Sequence, residues 1–431
     1  MSAQNTHSTT SDYSLAFAKK MDKNDPLRGF RQKFHIPKHH DGKPVIYLCG
    51  NSLGLQPKST KSYILQELED WKNHGVEGHF QAKHPWMPYH EFLTEKMAKV
   101  VGGKPSEVVV MNTLTTNLHL MMVSFYRPTK ERYKILTEWN PFPSDQYAVQ
   151  SQARYHGFDP EDAILEPQPK GDSLQIELED ILELIEKEGD KIALVMLGGV
   201  NYYTGQLYNL KAITAAAHKK GCMVGFDLAH AAGNVKLELH DSGCDFAVWC
   251  SYKYLNSGPG SLAGCFVNVR HANSVLPRFE GWWGNDKKVR FKMEKEFIPI
   301  GGAETWQLSN PPILSMAAIM ASLDVFDEAG MDRLVAKSKL LTAYLYDLIK
   351  AIPSNKIRII TPENPSERGC QLSIQVKGAD KRIFDSLTNE GIVTDWREPD
   401  VIRVAPVPLY NSFSDAWYFA KKLEKLIIDN N

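Results

Sequence analysis

The sequence predicts an α/β protein: a large domain with a mostly parallel sheet flanked by helices, followed by a smaller C-terminal α+β domain. Three observations carry this. Strand-length apolar runs alternate with helical runs through the middle of the chain: Ile192 to Leu197, a helix from Ala212 to Lys220 stopped by Gly221, then Met223 to Phe226 and Phe246 to Cys250. The runs at 223 and 246 end in polar residues rather than in a further apolar turn, as strands do when their carboxyl ends open toward a ligand. From Pro311 the texture changes to long helical runs separated by short strands. The expected division is an N-terminal segment 1–60, a large domain 61–310 and a small domain 311–431.

Taken in order, residues 1 to about 10 are polar and expected to be disordered, and Leu15, Phe17, Ala18 and Met21 space a short amphipathic helix between Asp12 and Lys23. Pro44 to Cys49 reads as a strand entering the loop GNSLG, Gly50 to Gly54, before a helix from Thr60 to His74. That loop suits an anion held by backbone amides, and equally a plain tight connection. Gly75 to His90 has no clear period and reads as a substrate-facing loop. Its histidines, His79, His84 and His90, lack the i, i+4 pairing with a nearby acid that a metal site on a helix shows.

Val108 to Met111 is a strand, and the threonines after it precede a helical run from Leu118. Hydroxyls and free amides at a helix start either bind phosphate or simply cap the helix. The strand Tyr133 to Leu136 leads to Phe142, fixed between two prolines, a turn that can also be read as an aromatic lid. A helix is expected over Ile176 to Glu188, and a strand over Gly264 to Val269. Trp282 and Trp283, between glycines, must be packed somewhere, a neighbouring subunit being one place. Helices at Ile313 to Phe326 and Leu334 to Ile352 precede strands at Ile357 to Thr361 and Gln371 to Val376. A helix around Lys381 to Asn389, strands at Ile392 to Asp395 and Ile402 to Ala405, and a final helix complete the chain. Arg403, inside a strand, requires an anionic partner, either a structural carboxylate or a substrate.

Composition excludes several classes. The 431 residues are 43% hydrophobic and 23% charged with a formal net charge of -1, and no basic block tracks a phosphate backbone, so nucleic acid is not expected as a partner. No apolar run reaches the ~18 residues of a membrane span. The first twenty residues lack the features of a signal or transit peptide. The six cysteines form no C-x-x-C pair and read as reduced core thiols, which together with the above places the chain in the cytoplasm.

The chemistry concentrates between Cys222 and Gly264. One strand delivers Asp227 and His230; the next delivers Ser251, Tyr252 and Lys253, followed by a glycine-rich exit. Singly, such a lysine is usually solvated, such an aspartate a helix cap and such a histidine structural. Together they suit pyridoxal phosphate, which needs a lysine amine for its aldehyde and a carboxylate to keep its pyridine nitrogen protonated.

GFDLAH and CSYKYLN resemble the kynureninase family, pyridoxal-phosphate hydrolases of the aspartate-aminotransferase (type I) fold. The resemblance extends over nearly the whole chain through GNSLGLQPK, FPSD, YYTGQ, GWWG, SNPP and RVAPVPLYNSF. It implies hydrolysis of kynurenine or 3-hydroxykynurenine to alanine and an anthranilate, within tryptophan degradation and NAD biosynthesis, by a homodimer with shared sites. By the same resemblance Leu114 and Thr115 bind the cofactor phosphate, Phe142 stacks on the ring, and Pro143, Ser144 and Asp145 surround it. Asp227 and His230 are cofactor-binding, Asp227 pairing with the ring nitrogen. Lys253 is the anchoring and proton-moving lysine, and Tyr252 contacts phosphate and relays a proton. Trp282 and Asn310 are expected to reach the other subunit's phosphate. Ser52, His79, Asn310 and Arg403 bind substrate, Arg403 as the carboxylate clamp; His79 and Asn310 face the aromatic ring and favour its 3-hydroxyl form. One departure is Gly198, where relatives often have serine, which puts phosphate or water binding there in question. The alternatives are another enzyme of this fold, such as a cysteine-desulfurase-like lyase or an aminotransferase, and a catalytically silent scaffold.

Overall fold

The computed structural model describes residues 14–171 and 174–429. The expectation for residues 1 to 10 lies outside them. The N-terminal segment contributes the helix Leu15–Asn24 and a two-residue strand, β1 (Ile46–Tyr47). The large domain follows with β2 (Val108–Met111), β3 (Lys134–Leu136), β4 (Ile164–Leu165), β5 (Ile192–Gly198), β6 (Met223–Asp227), β7 (Phe246–Cys250) and β8 (Ala263–Val267). These form one seven-stranded sheet in the order β2-β8-β7-β6-β5-β3-β4, in which β8 alone runs antiparallel to its neighbours.

Helical crossovers between parallel strands cover both sheet faces, so β5 is buried along all seven residues, and alternate residues feed different cores. Leu194 and Met196 join one apolar cluster, Val195 and Leu197 the other. The small domain adds β9 (Ile357–Ile359), β10 (Leu372–Val376), β11 (Ile392–Val393), β12 (Asp395–Arg397) and β13 (Val401–Val404). Its antiparallel sheet has the order β12-β13-β10-β9, backed by the helices Met331–Lys350 and Phe413–Asp429.

Local readings change in four places. The single strand expected over Ile392 to Asp395 is two: β11 pairs in parallel with β1, and after Thr394 the chain turns so that β12 pairs with β13. The turn expected at Phe142 is a helix start, because Pro143 occupies the first position of Pro143–Tyr155, where its missing N–H costs nothing. The loop from Gly75 contains two short helical turns, Gly75–Glu77 and Gly78–Gln81. The helix Ile313–Ala329, beyond the texture change at Pro311, packs on Thr60–His74 and Glu91–Val101 of the large domain.

Candidate active site

The carboxyl ends of β3, β5, β6 and β7 open into a cavity of about 150 Å3. It is lined by Leu114, Thr115, Phe142, Ser144, Asp145, Asp227, His230, Tyr252 and Lys253, nine of the residues singled out in the sequence. Volume does not mark the place: a groove of about 510 Å3 between Gln175 and Glu367 contains none of them.

Asp227 is the last residue of β6 and Lys253 lies three residues beyond β7, so parallel pairing of the two strands sets acid and amine side by side. The GNSLG loop packs directly on this turn. Gly54 N donates to Tyr252 O at 2.8 Å, and a Cβ on Gly54 would collide with the Lys253 carbonyl and with Asn256, which is why glycine stands there.

Lys253 Nζ lies 3.0 Å from His230 Nε2. Burial first, then the nearby Lys253, hold the His230 imidazole well below its usual range, so the ring is neutral and accepts from the lysine. His230 Nδ1 is buried and has no hydrogen-bond partner among the described residues. Phe142, 36% exposed, turns its edge to Tyr202, and Lys253 Nζ lies 5.8 Å from its ring centroid. Burial also pushes the Tyr252 phenol up, keeping it a proton donor at neutral pH.

The floor holds more carboxylates than cations. Burial, and then repulsion from Asp227, drive Asp145 well above the carboxylate range. Burial raises Asp227 as well, opposed by the Ala229 N–H, donated at 2.7 Å, and by hydrogen bonding with Asp145. The pair therefore shares a proton held on Asp145, and Asp227 carries the charge. Beside them is Glu138, which the sequence reading did not single out; it sits two residues after a short strand and carries no motif of its own.

Behind Tyr202, which lines the cavity, is an arginine cluster. Arg403, whose side chain is 1% exposed, binds Asp395 through Nε at 3.1 Å and Nη2 at 2.8 Å, and donates from Nη1 to Tyr202 O at 2.6 Å. Ser52 donates to the same Asp395 carboxylate, and Arg397 Nε lies 2.9 Å from it. Two guanidiniums thus share one carboxylate, leaving positive charge for a further anion. The structural-carboxylate reading of Arg403 is the one this geometry displays, with Asp395 as its partner and with Tyr202 O and Ser52 Oγ accepting further N–H groups.

Six sequence candidates lie outside the cavity lining in the single chain: Ser52 and Arg403 in the arginine cluster, Pro143, and His79, Trp282 and Asn310. Trp282 is 45% exposed, Asn310 is exposed, and His79 is half-buried in Gly78–Gln81, its Nδ1 2.8 Å from Val76 O. Pro143 begins the helix beside Phe142. No cluster of metal-ligating side chains occurs among the described residues.

These residues fit pyridoxal phosphate on structural grounds. The helix Leu114–Phe125 starts at the cavity without a side-chain cap from Thr113, leaving first-turn amides for a phosphate. Asp227 supplies the carboxylate, Lys253 the amine and Phe142 an aromatic face.

Comparison with known proteins agrees. Residues 334–423 match the kynureninase C-terminal domain family. The chain is 59% identical to the kynureninase of Myxococcus xanthus, covering 95% of this chain and 97% of that one. It is 57% identical to the Koribacter versatilis enzyme (94% and 96%) and 55% identical to that of Flavobacterium psychrophilum (96% and 99%). Among solved structures, a variant of C-DES with glycine covalently linked to its PLP cofactor superposes with a TM-score of 0.74 at 16% identity, covering 88% of this chain and 96% of that one. The cysteine desulfurase CsdA of Escherichia coli gives 0.73 at 16% (94% and 98%). At that identity the structures share the fold alone, that of type I pyridoxal-phosphate enzymes. The full-length identity above 50% is what decides the family, and the chain belongs to the kynureninases.

Proposed function

We propose that this chain hydrolyses 3-hydroxykynurenine in preference to kynurenine, releasing alanine and the matching anthranilate. The observation that carries the reading is the meeting of Asp227, His230 and Lys253 in one cavity, which Tyr202 joins to Arg403, in a chain of this family.

Bound pyridoxal phosphate supplies an electron sink that stabilises negative charge on the substrate carbons next to its amine. Lys253 anchors it and, once substrate has displaced the amine, takes the proton from Cα. Asp227, kept anionic by the proton on Asp145, holds the ring nitrogen protonated. Arg403 orients the substrate carboxylate by two parallel hydrogen bonds, a task suited to a planar guanidinium already aligned by Asp395. Water adds to the γ-carbonyl carbon, the Cβ–Cγ bond breaks, and the aromatic fragment leaves as a carboxylic acid. The electron pair stays on Cβ, where Tyr252 delivers a proton.

The hydroxyl preference rests on His79 and Asn310. Val76 O can only accept, so His79 Nδ1 carries a proton, which leaves Nε2 as the ring nitrogen to meet a phenolic O–H. A site built for a hydroxyl loses about 1 to 3 kcal/mol when its polar groups go unpaired. His79 and Asn310 act on a cavity they do not line in one chain, which supports a homodimer with shared sites. Exposed apolar residues support the same assembly: Leu65, Leu68 and Trp71 on Thr60–His74, then Val76 and Phe80, with Trp282, Phe291 and Met293.

A lyase using a cysteine nucleophile finds no support. Five of the six free cysteines are buried, and burial pushes the sixth, Cys49, up to about 11. Unpaired thiols support the cytoplasm as compartment; no helix among the described residues is long and apolar enough to cross a membrane.

The deciding measurement is anthranilate release from each substrate by the purified protein. Equal kcat/KM for the two would refute the hydroxyl preference, and no release from either would refute the activity. Mixing inactive Lys253→Ala and Trp282→Ala chains should restore activity in hybrid dimers; no recovery with verified subunit exchange would mean that each site is built within one chain.

A further inference from the structure

Glu138 takes no part in the steps above, yet it is 4% exposed and lines the cavity with Asp145 and Asp227. β3, β5 and β6 are parallel neighbours, and Gly198 of β5 is in register with Asp227 of β6. A Cβ at position 198 would stand 3.1 and 3.3 Å from the two Glu138 carboxyl oxygens. Glycine at 198 therefore gives the Glu138 carboxyl room over the end of β5, one strand from Asp227.

The carboxyl also holds the loop that follows β5. Asn201 Nδ2 donates to Glu138 Oε2 at 2.8 Å, and the Tyr208 hydroxyl bonds to the same group. Asn201 Oδ1 in turn accepts from Tyr203 N at 3.0 Å and from Thr204 N at 2.8 Å. Between these fixed points the loop presents Tyr202 O to Arg403 Nη1. A path of hydrogen bonds and the loop backbone between them runs from Glu138 to the arginine.

We infer that Glu138 is a positioning residue that ties the carboxylates beneath the cofactor ring to the arginine that clamps the substrate, so that its charge state is felt at both ends. The inference rests on the reading of this pocket and of Arg403 given above. Facing Glu138 are Asp227 from β6, Asp145 from Pro143–Tyr155, Glu166 beyond β4, and Tyr202 and Tyr208 from the loop. All are acids. Burial, reinforced by Asp227 and Glu166 and opposed by the Asn201 and Tyr208 hydrogen bonds, pushes the carboxyl up to about 7. Near neutral pH it passes from acid to anion, and the anion favours a protonated ring nitrogen over Asp227.

The test titrates apoprotein with pyridoxal phosphate at pH 6 and pH 8, in wild type, Glu138→Gln and Asn201→Ala, and measures KM and kcat for each. Gln keeps the Asn201 hydrogen bond but cannot ionise, so the pH 8 to pH 6 ratio of cofactor affinity should shrink about tenfold against wild type. Asn201→Ala cuts the path beyond Glu138 and removes a hydrogen bond that favours its anion, so KM should rise about tenfold and cofactor affinity should fall by a smaller factor. An unchanged pH ratio in Glu138→Gln, or an Asn201→Ala variant with unchanged KM, overturns the inference while leaving the function standing. Should Glu138→Gln not fold, Asn201→Ala reads the same path from its other end. Wild-type apoprotein that binds no pyridoxal phosphate would overturn the reading of the pocket itself and this inference with it.

Discussion

The two ends of the large sheet both bury carboxylates and treat them oppositely. Asp245, just before the amino end of β7, accepts from His218 at 2.9 Å, His271 at 2.7 Å and Val224 N at 2.7 Å, and pairs with Arg270. These donors outweigh burial and hold it far below the carboxylate range. At the carboxyl ends Asp145 and Glu138 are pushed up by burial first and by Asp227 after it, with no cation among the causes. A buried carboxylate with a full set of donors is a brace, whereas one left short of cations stores a proton and marks the place where a positively charged group is to bind. The contrast follows the general division of open α/β sheets, in which ligands collect at strand carboxyl ends.

Substitutions can break this contrast, and the largest effect is expected at the amine. Lys253→Ala should lower kcat by at least about 10³-fold, since anchor and proton carrier go together, while the melting temperature of the apoprotein stays within a few degrees. Retention of the covalently bound cofactor's absorbance after dialysis would show that another lysine holds it. At the opposite end Asp245→Asn should cost about 3 kcal/mol of stability in denaturant titration and leave kcat of the folded enzyme unchanged. An equal loss of kcat would mean that the two ends are not independent.

The pH dependence sharpens the comparison because the signs differ. Glu138, raised from 4.5 to about 7, contributes stability that is complete below 4.5 and lost as pH rises through 7. Glu138→Gln apoprotein should lack that decline, worth about 3 kcal/mol, in urea titrations at pH 5 and 8. Asp245, depressed, contributes stability above the ordinary aspartate range that is lost on acidification below it. The smallest effect is expected for Phe142→Ala, about 1 kcal/mol in cofactor affinity from lost ring contact, read by equilibrium titration.

How much of this was legible in the sequence depended on distance along the chain. Asp227, His230 and Lys253 sit beside apolar runs that declare their own strands, so their approach follows from parallel pairing alone. The helix start at Leu114 and the aromatic at Phe142 were visible as local patterns, although Pro143 proved to open a helix rather than a turn. Glu138 and Asp395 were not visible. Glu138 acquires meaning only when Gly198 makes room for it, and Asp395 only when β12 lies antiparallel to β13 and faces Arg403. Ile392 to Asp395 reads as one strand because Ile392, Val393 and Thr394 are all β-branched; the two sheets that divide it are held by partners hundreds of residues away or across a tight turn.

The pairing of β1 with β11 has a consequence for how the protein is made. Arg31 bonds Asp415 across 384 residues of sequence, and β1 finds its neighbour β11 comparably late. During synthesis the segment carrying Phe34, Leu48 and Ser52 emerges from the ribosome early and waits for nearly the whole chain before its apolar side chains can be covered. The seven-stranded sheet can assemble in the meantime from contacts nearer in sequence. The Arg403 cluster, which joins Ser52 to β12 and β13, can be completed only after these strands are made, and a truncated chain lacking β11 to β13 should leave the N-terminal segment open to proteases.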